Sequence, residues 1–342
     1  MHKIDMNLLI LKTWTRILYY NNILIIRLKK NNKQHYKTKL IVWSPYILLK
    51  ALICFLIEPI LSLKVKSLKN KGKNKVFKYE LGIVTIAKNE GPYIQEWIEF
   101  HKLVGVNRFY FYDNESNDNT REVLDKYIQD SSVKYTKVPG KAQQLPAYND
   151  AISKYKDECR YLAFIDMDEY IVPSIPFKPL PTLVNEIIER YGKGAAGIGI
   201  NWAIYGSSGH INKPIGLITE NYTKRGKNSH FGNAHIKTIC NPRLISYYVS
   251  PHYPIYKLGA YSIDESGTKK VFVWFNDNCQ YKNLRINHYF SKSKEEYIAK
   301  QNRGLADREG KYDMSKFHQY DLNDIEDYIM KPYIPELKKR IE

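Results

Sequence analysis

The sequence predicts an α/β domain with a mostly parallel sheet flanked by helices, beginning near residue 80. Short apolar runs rich in β-branched residues alternate with helical patterns over residues 79–170, which is typical of a doubly wound sheet. Polar clusters directly follow three of the predicted strands, at 88–90, 113–118 and 166–169. Ligands bind outside the carboxyl ends of the strands in such sheets, so the sequence predicts a site there.

The elements follow one another in a regular order along the chain. The predicted strands are 79–87, 108–112, 133–138 and 160–165, and the predicted helices are 94–103, 121–129 and 144–155. Pro146 fits the last of these helices because a proline is tolerated in the first turn. Residues 194–210 predict a strand and then a turn of small residues, where Gly209 and His210 are candidates for contact with a substrate.

The positive charge of the chain is concentrated at its beginning. The 342 residues carry a net charge of +18. Residues 1–80 hold 17 basic and three acidic residues, a net +14, which leaves +4 for residues 81–342. We therefore divide the chain into a basic appendage with a linker, 1–78, and a catalytic domain, 79–342. A nucleic-acid-binding domain is expected to carry a basic face itself, so nucleic acid is not a predicted partner.

The appendage contains an apolar segment, 40–63, that is about long enough to cross a bilayer. Lys50, Glu58 and two prolines interrupt it, and a charge at mid-span is costly. Lysines flank both ends and would be attracted to an anionic membrane surface. We expect this segment to lie on the membrane at the cytoplasmic face of the cell membrane. A spanning segment, or a helical pair packed on the domain, are the alternatives.

Several common kinds of site have no signature in the sequence. The four cysteines are far apart and form no Cys/His metal spacing. The glycine-rich patterns of dinucleotide oxidoreductases and P-loop kinases are also absent, which argues against both classes.

The acidic cluster Asp166-Met167-Asp168-Glu169 carries the most chemical information. Two carboxylates separated by one residue, after a buried strand, can both approach Mg²⁺ or Mn²⁺. Such an ion neutralises the charge that develops on a diphosphate leaving group, as a nucleotide sugar would require. A general base must also deprotonate the acceptor, and Asp168, Glu169 and Glu220 are the candidates.

Basic residues and a histidine in the second half are further candidates. Lys237, Lys292 and Arg303 are candidates for binding phosphate, although an exposed basic surface is the alternative. His288 lies in a strand-like segment, where a ligand and a packed core histidine are both open.

Seven blocks of sequence together resemble glycosyltransferase family 92 and its bacterial relatives among the family 2-like transferases. The blocks cover much of residues 80–305 and are 86–101, 112–118, 144–149, 164–170, 201–210, 235–239 and 287–297. The joint match is far more specific than any one block.

The resemblance implies a GT-A fold and a nucleotide-sugar donor, such as a UDP- or GDP-sugar. It implies a divalent metal at Asp166 and Asp168, with His288 as a further ligand, and inversion at the anomeric carbon. The substrate-binding candidates that it adds are Asn89, Glu90, Asp113, Asn114, Gln144 and Trp202. The expected acceptor is a cell-surface glycan or lipid-linked saccharide, in polysaccharide biosynthesis of the lipopolysaccharide or capsule kind.

Two other functions remain open from the sequence. An inactive transferase-like module would bind a nucleotide or glycan without turnover, and intact Asp166 and Asp168 argue against it. A metal-dependent nucleotidyltransferase also uses paired carboxylates, and its products would distinguish it.

Overall fold

A computed structural model describes most of the chain beyond the basic appendage. The described residues are 63, 67, 76–191, 194–257, 260–267, 269–270, 275–276, 279–304, 309–311 and 313–342. The predicted membrane-associating segment at 40–63 therefore lies outside them, apart from its last residue. Among the helices that are described, none has the length and apolar character needed to cross a membrane.

The described strands and helices alternate in the first half of the domain. The strands are β1 Tyr79–Ala87, β2 Arg108–Asp113, β3 Val133–Lys137, β4 Cys159–Phe164, β5 Glu169–Pro173, β6 Ala195–Ile204, β7 Lys224–Arg225, β8 Ile236–Cys240, β9 Ile245–Ser250, β10 Tyr253–Tyr256, β11 Tyr261–Asp264, β12 Lys269–Lys270, β13 Leu284–His288 and β14 Ile325–Glu326. The helices are α1 Gly91–Leu103, α2 Thr120–Gln129, α3 Gln144–Tyr155, α4 Leu180–Tyr191, α5 Ile218–Asn221, α6 Lys294–Arg303, α7 Met314–Tyr320 and α8 Ile334–Ile341. The elements predicted over residues 79–170 are confirmed, with small differences at their ends.

The main sheet has the strand order β12-β11-β6-β8-β4-β1-β2-β3. Strands β4, β1, β2 and β3 are parallel, whereas β8 runs antiparallel to both of its neighbours, β4 and β6. Two antiparallel steps restore the direction, so β6 points the same way as β1. The carboxyl ends of β1, β2, β4 and β6 therefore meet at one edge, as the sequence predicts for a mostly parallel sheet.

Helices cover both faces of this sheet. Alternate residues of β1 point to opposite faces, so Ile83 packs with the α1 side and Val84 with the α3 side. Trp97 of α1 is fully buried on the first face, and Tyr148 of α3 is fully buried on the second. The sheet is buried on both sides, which explains why its strands are apolar runs and not alternating patterns.

The start of α1 fixes the loop that follows β1. Pro92 lies in the first turn of the helix, where its missing N–H costs no hydrogen bond. At Gly91 a Cβ atom would lie 2.0 Å from Asn119 Oδ1, so a larger residue would displace that side chain. The loop after β1 is therefore packed against the loop after β2.

A small second ladder brings the end of the domain to the same edge. Strand β13 pairs antiparallel with β5 and parallel with β6. In this register His288 lies opposite Glu169 and beside Ile204. The ladder thus carries a histidine from late in the chain to the acidic cluster that precedes β5.

Candidate active site

A cavity of about 340 Å³ opens at the carboxyl edge of the sheet. Its polar and aromatic lining consists of Lys88, Glu90, Asn114, Gln144, Asp166, Asp168, Trp202, His235, Lys237, His252, His288, Phe290, Lys300, Arg303, Lys316 and Tyr320. Nine of the sequence-predicted site residues are among them. They come from loops after four different strands and from the second half of the chain.

Asp166 lies between an amide and a buried lysine. Its Oδ1 accepts hydrogen bonds from Gln144 Nε2 at 2.7 Å and from Tyr148 OH at 3.3 Å. Lys237 Nζ is 2.8 Å from its Oδ2, and the lysine side chain is only 1% exposed. Burial lowers the pKa of Lys237, but the carboxylates of Asp166 and Glu169 more than offset this and raise it well above its usual value. Lys237 is therefore a fixed positive charge.

Asp168 has a cation or a histidine at each oxygen. Lys300 Nζ is 2.7 Å from Oδ2, and His288 Nε2 is 3.5 Å from Oδ1. Burial raises the pKa of Asp168, but Lys300 and His288 outweigh that effect and hold the pKa well below its usual range. Asp168 is thus ionised in a site that is largely shielded from water.

Glu169 is fully buried and is not part of the cavity lining. Its Oε2 accepts a hydrogen bond from the backbone N–H of Asp166 at 2.9 Å and lies 3.6 Å from Lys237 Nζ. Burial raises the pKa of Glu169 well above its usual value, against the opposing effect of Lys237. The side chain therefore holds the turn that presents Asp166, and the structure does not bring it to the cavity as a base.

Helix α6 presents two cations to the cavity. It begins at a capping box in which Ser293 Oγ accepts from Glu296 N at 3.2 Å and Glu296 Oε2 accepts from Ser293 N at 3.1 Å. Lys300 and Arg303, three residues apart, then lie on the same side of the helix. Arg303 Nη1 pairs with Glu90 and also donates to the carbonyls of Lys88 and Asn89, which ties α6 to the loop after β1.

Lys292 lies just before α6, outside the cavity lining. Its Nζ is 3.9 Å from Glu90 Oε2 and 3.7 Å from the centre of the Tyr93 ring. Burial lowers the pKa of Lys292, and Glu90 opposes that effect. Lys292 therefore contacts Glu90 and does not line the cavity. The predicted contact with phosphate would require its side chain to move.

Trp202 is surrounded by three histidines on the cavity wall. His235 stacks on it with ring centres 5.0 Å apart, and the His288 and His252 rings lie at 4.3 and 5.4 Å. Burial lowers the pKa of each histidine. Trp202 Nε1 and His288 Nδ1 are buried with no hydrogen-bond partner among the described residues. This wall is neutral and presents two polar atoms that no described residue satisfies.

The loops after β1 and β2 are bound to each other. Asn89, with a left-handed φ of 54°, accepts from Asn117 N at 2.8 Å and is not in the lining. Asp113 is buried, and its Oδ2 accepts from Tyr135 OH at 2.6 Å. Asn114 does line the cavity, and its Nδ2 donates to the carbonyl of Val138 at 2.9 Å. Asn89 and Asp113 therefore stabilise the loops and strands next to the cavity without being part of its lining.

Three predicted site residues lie away from the cavity. Glu220 is on α5, half-exposed, and its Oε1 is 2.7 Å from Lys338 Nζ on α8. Gly209 adopts a left-handed φ of 90° in a turn, and His210 Nε2 lies 3.3 Å from the carbonyl of Asn221. Glu220 therefore pairs with the C-terminal helix and is not part of the cavity lining.

The predicted metal ligands are only partly assembled. Asp168 and His288 are adjacent and have suitable donor atoms, but Lys300 already pairs with Asp168 Oδ2, and both oxygens of Asp166 also have partners. Within the described part of the chain, no group of three His, Cys, Asp or Glu side chains forms a metal-ligand set. Mg²⁺ commonly uses one or two carboxylates together with substrate phosphates and water, so Asp168 and His288 fit a site of that kind.

Some lining residues had no role from the sequence. Lys316 and Tyr320 of α7 reach the cavity from a segment with no diagnostic pattern. His235 lies in a matched block, whereas His252 and Lys300 are single residues that the sequence offers only as candidates for contact with the acceptor and with the diphosphate. Their spacing along the chain gives no signal, because only the folded β8–β10 region and helices α6 and α7 bring them to the same cavity.

The charge of the lining indicates the kind of ligand that it accepts. Five basic side chains (Lys88, Lys237, Lys300, Arg303 and Lys316) face three acidic ones (Glu90, Asp166 and Asp168), a net charge of +2. The fold and the cavity together define an α/β protein with a cavity of net positive charge at the carboxyl edge of its sheet.

The chain belongs to glycosyltransferase family 92, whose sequence profile matches residues 86–333. This confirms the resemblance found in the sequence, and the α/β architecture is the GT-A-like fold that it implies. The matched region includes α7 and the segment after it, which extends past the diagnostic blocks.

Curated relatives of the same family are found in plants. A family 92 protein of Arabidopsis thaliana is 28% identical over 186 residues, which is 53% of this chain and 32% of the relative. One from Ricinus communis is 34% identical over 94 residues, 27% of this chain and 16% of the relative. The chain thus spans a third or less of the length of these relatives.

Solved structures resemble the fold more distantly. Residues 1–349 of Staphylococcus aureus TarS are 15% identical, with 48% of each chain covered and a TM-score of 0.33. The glucosyl-3-phosphoglycerate synthase of Mycobacterium tuberculosis is 15% identical over 49% of this chain and 58% of that chain, with a TM-score of 0.29. Likeness at this level carries no argument about function.

Proposed function

We propose that residues 79–342 form a glycosyltransferase domain that moves a sugar from a nucleotide-diphosphate sugar to a saccharide acceptor. Membership in family 92 supports the class of reaction. The observation that carries the proposal is the ionised Asp168, held between Lys300 and His288 in a cavity whose lining has a net charge of +2. A nucleotide sugar brings a diphosphate of the opposite charge to this cavity.

Basic side chains at the rim bind the diphosphate in this proposal. Lys88 and Lys316 line the cavity from the β1 loop and from α7, and Lys300 and Arg303 do so from α6. Arg303 is held by Glu90 and two carbonyls, so it is already oriented before the donor arrives. Preorganised cations of this kind stabilise the charge that develops as the sugar–phosphate bond breaks.

Asp168 and His288 would hold Mg²⁺ or Mn²⁺, and Asp166 is the second carboxylate of the acidic pair beside them. When bound, that ion acts as a Lewis acid that neutralises negative charge on the leaving diphosphate. His288 suits the role of ligand because its lowered pKa keeps the ring uncharged at neutral pH. Lys237 holds the carboxylate of Asp166 through an ion pair, and Glu169 holds its backbone N–H through a hydrogen bond.

His252 is our candidate for the base that activates the acceptor. Its Nδ1 lies 3.0 Å from the carbonyl of Ile236, which can only accept, so Nδ1 carries the proton and Nε2 carries the lone pair. Burial lowers the pKa of His252 well below its usual value, so the ring is neutral. Nε2 would take the proton of the acceptor hydroxyl. At the same time the hydroxyl oxygen would form a bond to the anomeric carbon, and the bond from that carbon to the nucleoside diphosphate would break. Attack opposite the leaving group gives inversion.

The acceptor and the location are proposals from the sequence. A cell-surface glycan or lipid-linked saccharide, of the lipopolysaccharide or capsule kind, would suit an enzyme held at the cytoplasmic face of the membrane by residues 1–78. The support is the apolar segment 40–63 with its flanking lysines. Full-length protein should co-sediment with vesicles that contain anionic lipid and should not bind neutral vesicles; equal binding to both would contradict the membrane role.

Release of nucleoside diphosphate tests the reaction directly. The wild type and Asp168→Asn would be incubated with a panel of UDP- and GDP-sugars, with simple glycosides as acceptors, in Mn²⁺ or EDTA. We expect release from one donor that depends on Mn²⁺ and falls at least about 100-fold in the variant.

The products separate the other functions. Release of pyrophosphate from nucleoside triphosphates would indicate a nucleotidyltransferase. Binding of a nucleotide sugar without turnover with any acceptor would favour the inactive binding module. Release that is unchanged by EDTA would leave the transferase proposal standing and remove the metal from it.

A further inference from the structure

Both carboxylates of the Asp166–Asp168 pair are already matched by lysines, but the two lysines differ in how firmly they are held. Lys237 lies on β8, is 1% exposed and contacts two carboxylates. Lys300 is on α6, is 14% exposed and pairs with Asp168. Its Nζ also donates to the carbonyl of Phe290 at 3.1 Å. Lys300 is the less buried of the two cations and the one at the proposed metal ligand.

A divalent ion between Asp168 and His288 would lie close to this ammonium group. The ion would share the carboxylate whose Oδ2 is 2.7 Å from Lys300 Nζ and whose Oδ1 is 3.5 Å from His288 Nε2. The aspartate and the lysine are 11% and 14% exposed, so water screens their charges weakly. The divalent ion and the Lys300 ammonium group would therefore compete for the same shielded carboxylate.

We propose that Lys300 is a built-in counter-ion that keeps the affinity of Asp168 for a divalent cation low until a diphosphate is present. The diphosphate then draws Lys300 away from Asp168 and frees the carboxylate for the ion. This rests on the metal-assisted reaction proposed above. A lysine can move between Asp168 and a diphosphate because its ammonium group ends a flexible chain of four carbons. Arg303 on the same helix is instead fixed by Glu90 and two carbonyls.

Because binding free energies are coupled reciprocally, the nucleotide and the metal should each strengthen the binding of the other. Lys300 would thus favour loading of the metal together with the donor, and not loading of the metal alone.

The test measures Mn²⁺ binding to the full chain without nucleotide, by the electron paramagnetic resonance signal of free Mn²⁺. Lys300→Met removes the competing charge and should bind Mn²⁺ at least about tenfold more tightly than the wild type. Lys300→Arg keeps the charge and should bind as weakly as the wild type. Lys316→Met is the matched control, since it removes a cavity-lining charge whose Nζ pairs with Gln319 and not with the acidic pair. It should change the affinity by less than about threefold.

Three results would overturn the proposal. The first is binding of Mn²⁺ by Lys300→Met that is no tighter than in the wild type. The second is a gain in Lys300→Arg as large as in Lys300→Met. The third is a gain that survives in the double variant with Asp168→Asn. Thermal unfolding checks that each variant is folded, and Lys300→Gln replaces Lys300→Met if that one is not. The nucleoside-diphosphate assay separates the failures, because metal-dependent release without a Lys300 effect leaves the proposed function intact.

Discussion

Lys237 Nζ lies 2.8 Å from Asp166 Oδ2 and 3.6 Å from Glu169 Oε2, with the lysine and the glutamate almost completely buried. One ammonium group therefore serves two carboxylates at the turn that leads from β4 to β5. The backbone N–H of Asp166 donates to the same Glu169 at 2.9 Å. This arrangement fixes the position of Asp166 before any ligand binds.

Lys237→Met should destabilise the domain, because it leaves the buried Glu169 and the partly exposed Asp166 without their cation. Breaking a buried pair costs about 3 kcal/mol, measured as the free energy of unfolding in urea. Lys316→Met, at an exposed lysine, should stay within about 0.5 kcal/mol of the wild type. A double-mutant cycle with Asp166→Asn should give a coupling of at least about 1 kcal/mol, and additive effects would contradict the role of the ion pair.

His252→Gln should slow sugar transfer while leaving the affinity for the donor almost unchanged. Loss of a general base lowers kcat about 100-fold or more, and the donor KM reports any effect on binding. Glu220→Gln is the informative comparison, since Glu220 pairs with Lys338 outside the cavity and its loss should change kcat by less than about twofold. Normal transfer by His252→Gln together with slow transfer by Glu220→Gln would contradict the proposal and favour Glu220, one of the three candidate bases in the sequence.

His101 should make the domain sensitive to acid. Its Nδ1 lies 2.8 Å from the carbonyl of Trp97 and its Nε2 accepts from the backbone N–H of Ile171 at 3.2 Å, so only the neutral ring satisfies both. Burial lowers the pKa of His101 to about 3. The unfolded chain, with a pKa near 6.5, takes up the proton first, so stability falls as the pH drops from about 6.5 towards 3.

The expected slope from this one group is about 1.4 kcal/mol per pH unit. His101→Gln removes the titration and should flatten the curve of unfolding free energy against pH by about that amount. His318→Gln, at an exposed histidine, is the control and should leave the curve unchanged. Equal slopes for the wild type and His101→Gln would show that His101 is not the group responsible.

Asp327→Asn should weaken the attachment of the C-terminal segment to β7 and β13. The carboxylate bridges Arg225 Nε at 2.5 Å and Arg285 Nη2 at 2.7 Å, and all three side chains are at most 11% exposed. The variant leaves two shielded guanidinium groups without an anion, which costs about 3 kcal/mol in unfolding free energy. Asp324→Asn, at an exposed aspartate, should cost less than about 0.5 kcal/mol. Similar urea midpoints for the two variants would contradict the bridging role.

Much of the site followed from local patterns in the sequence. Asp166, Asp168 and Glu90 directly follow strands β4 and β1, and parallel strands end at the same edge. The pattern of apolar residues fixes the strands, and the strand ends fix where the loops meet. The same reasoning failed to place Glu220 and Gly209, because a loop that follows a strand can turn away from the edge over a few residues.

The sequence by itself determined the α/β class, the family and the edge of the sheet at which the acidic pair lies. Those features depend on periodicity and on motifs within short stretches of chain. Only the tertiary structure decided that Lys300 pairs with Asp168 across 132 residues and that Lys237 pairs with Asp166 across 71. It also brought Tyr320 of α7 to the cavity. Such pairs have no local signal, because an ion pair depends on where two side chains meet in space and not on their neighbours in the chain.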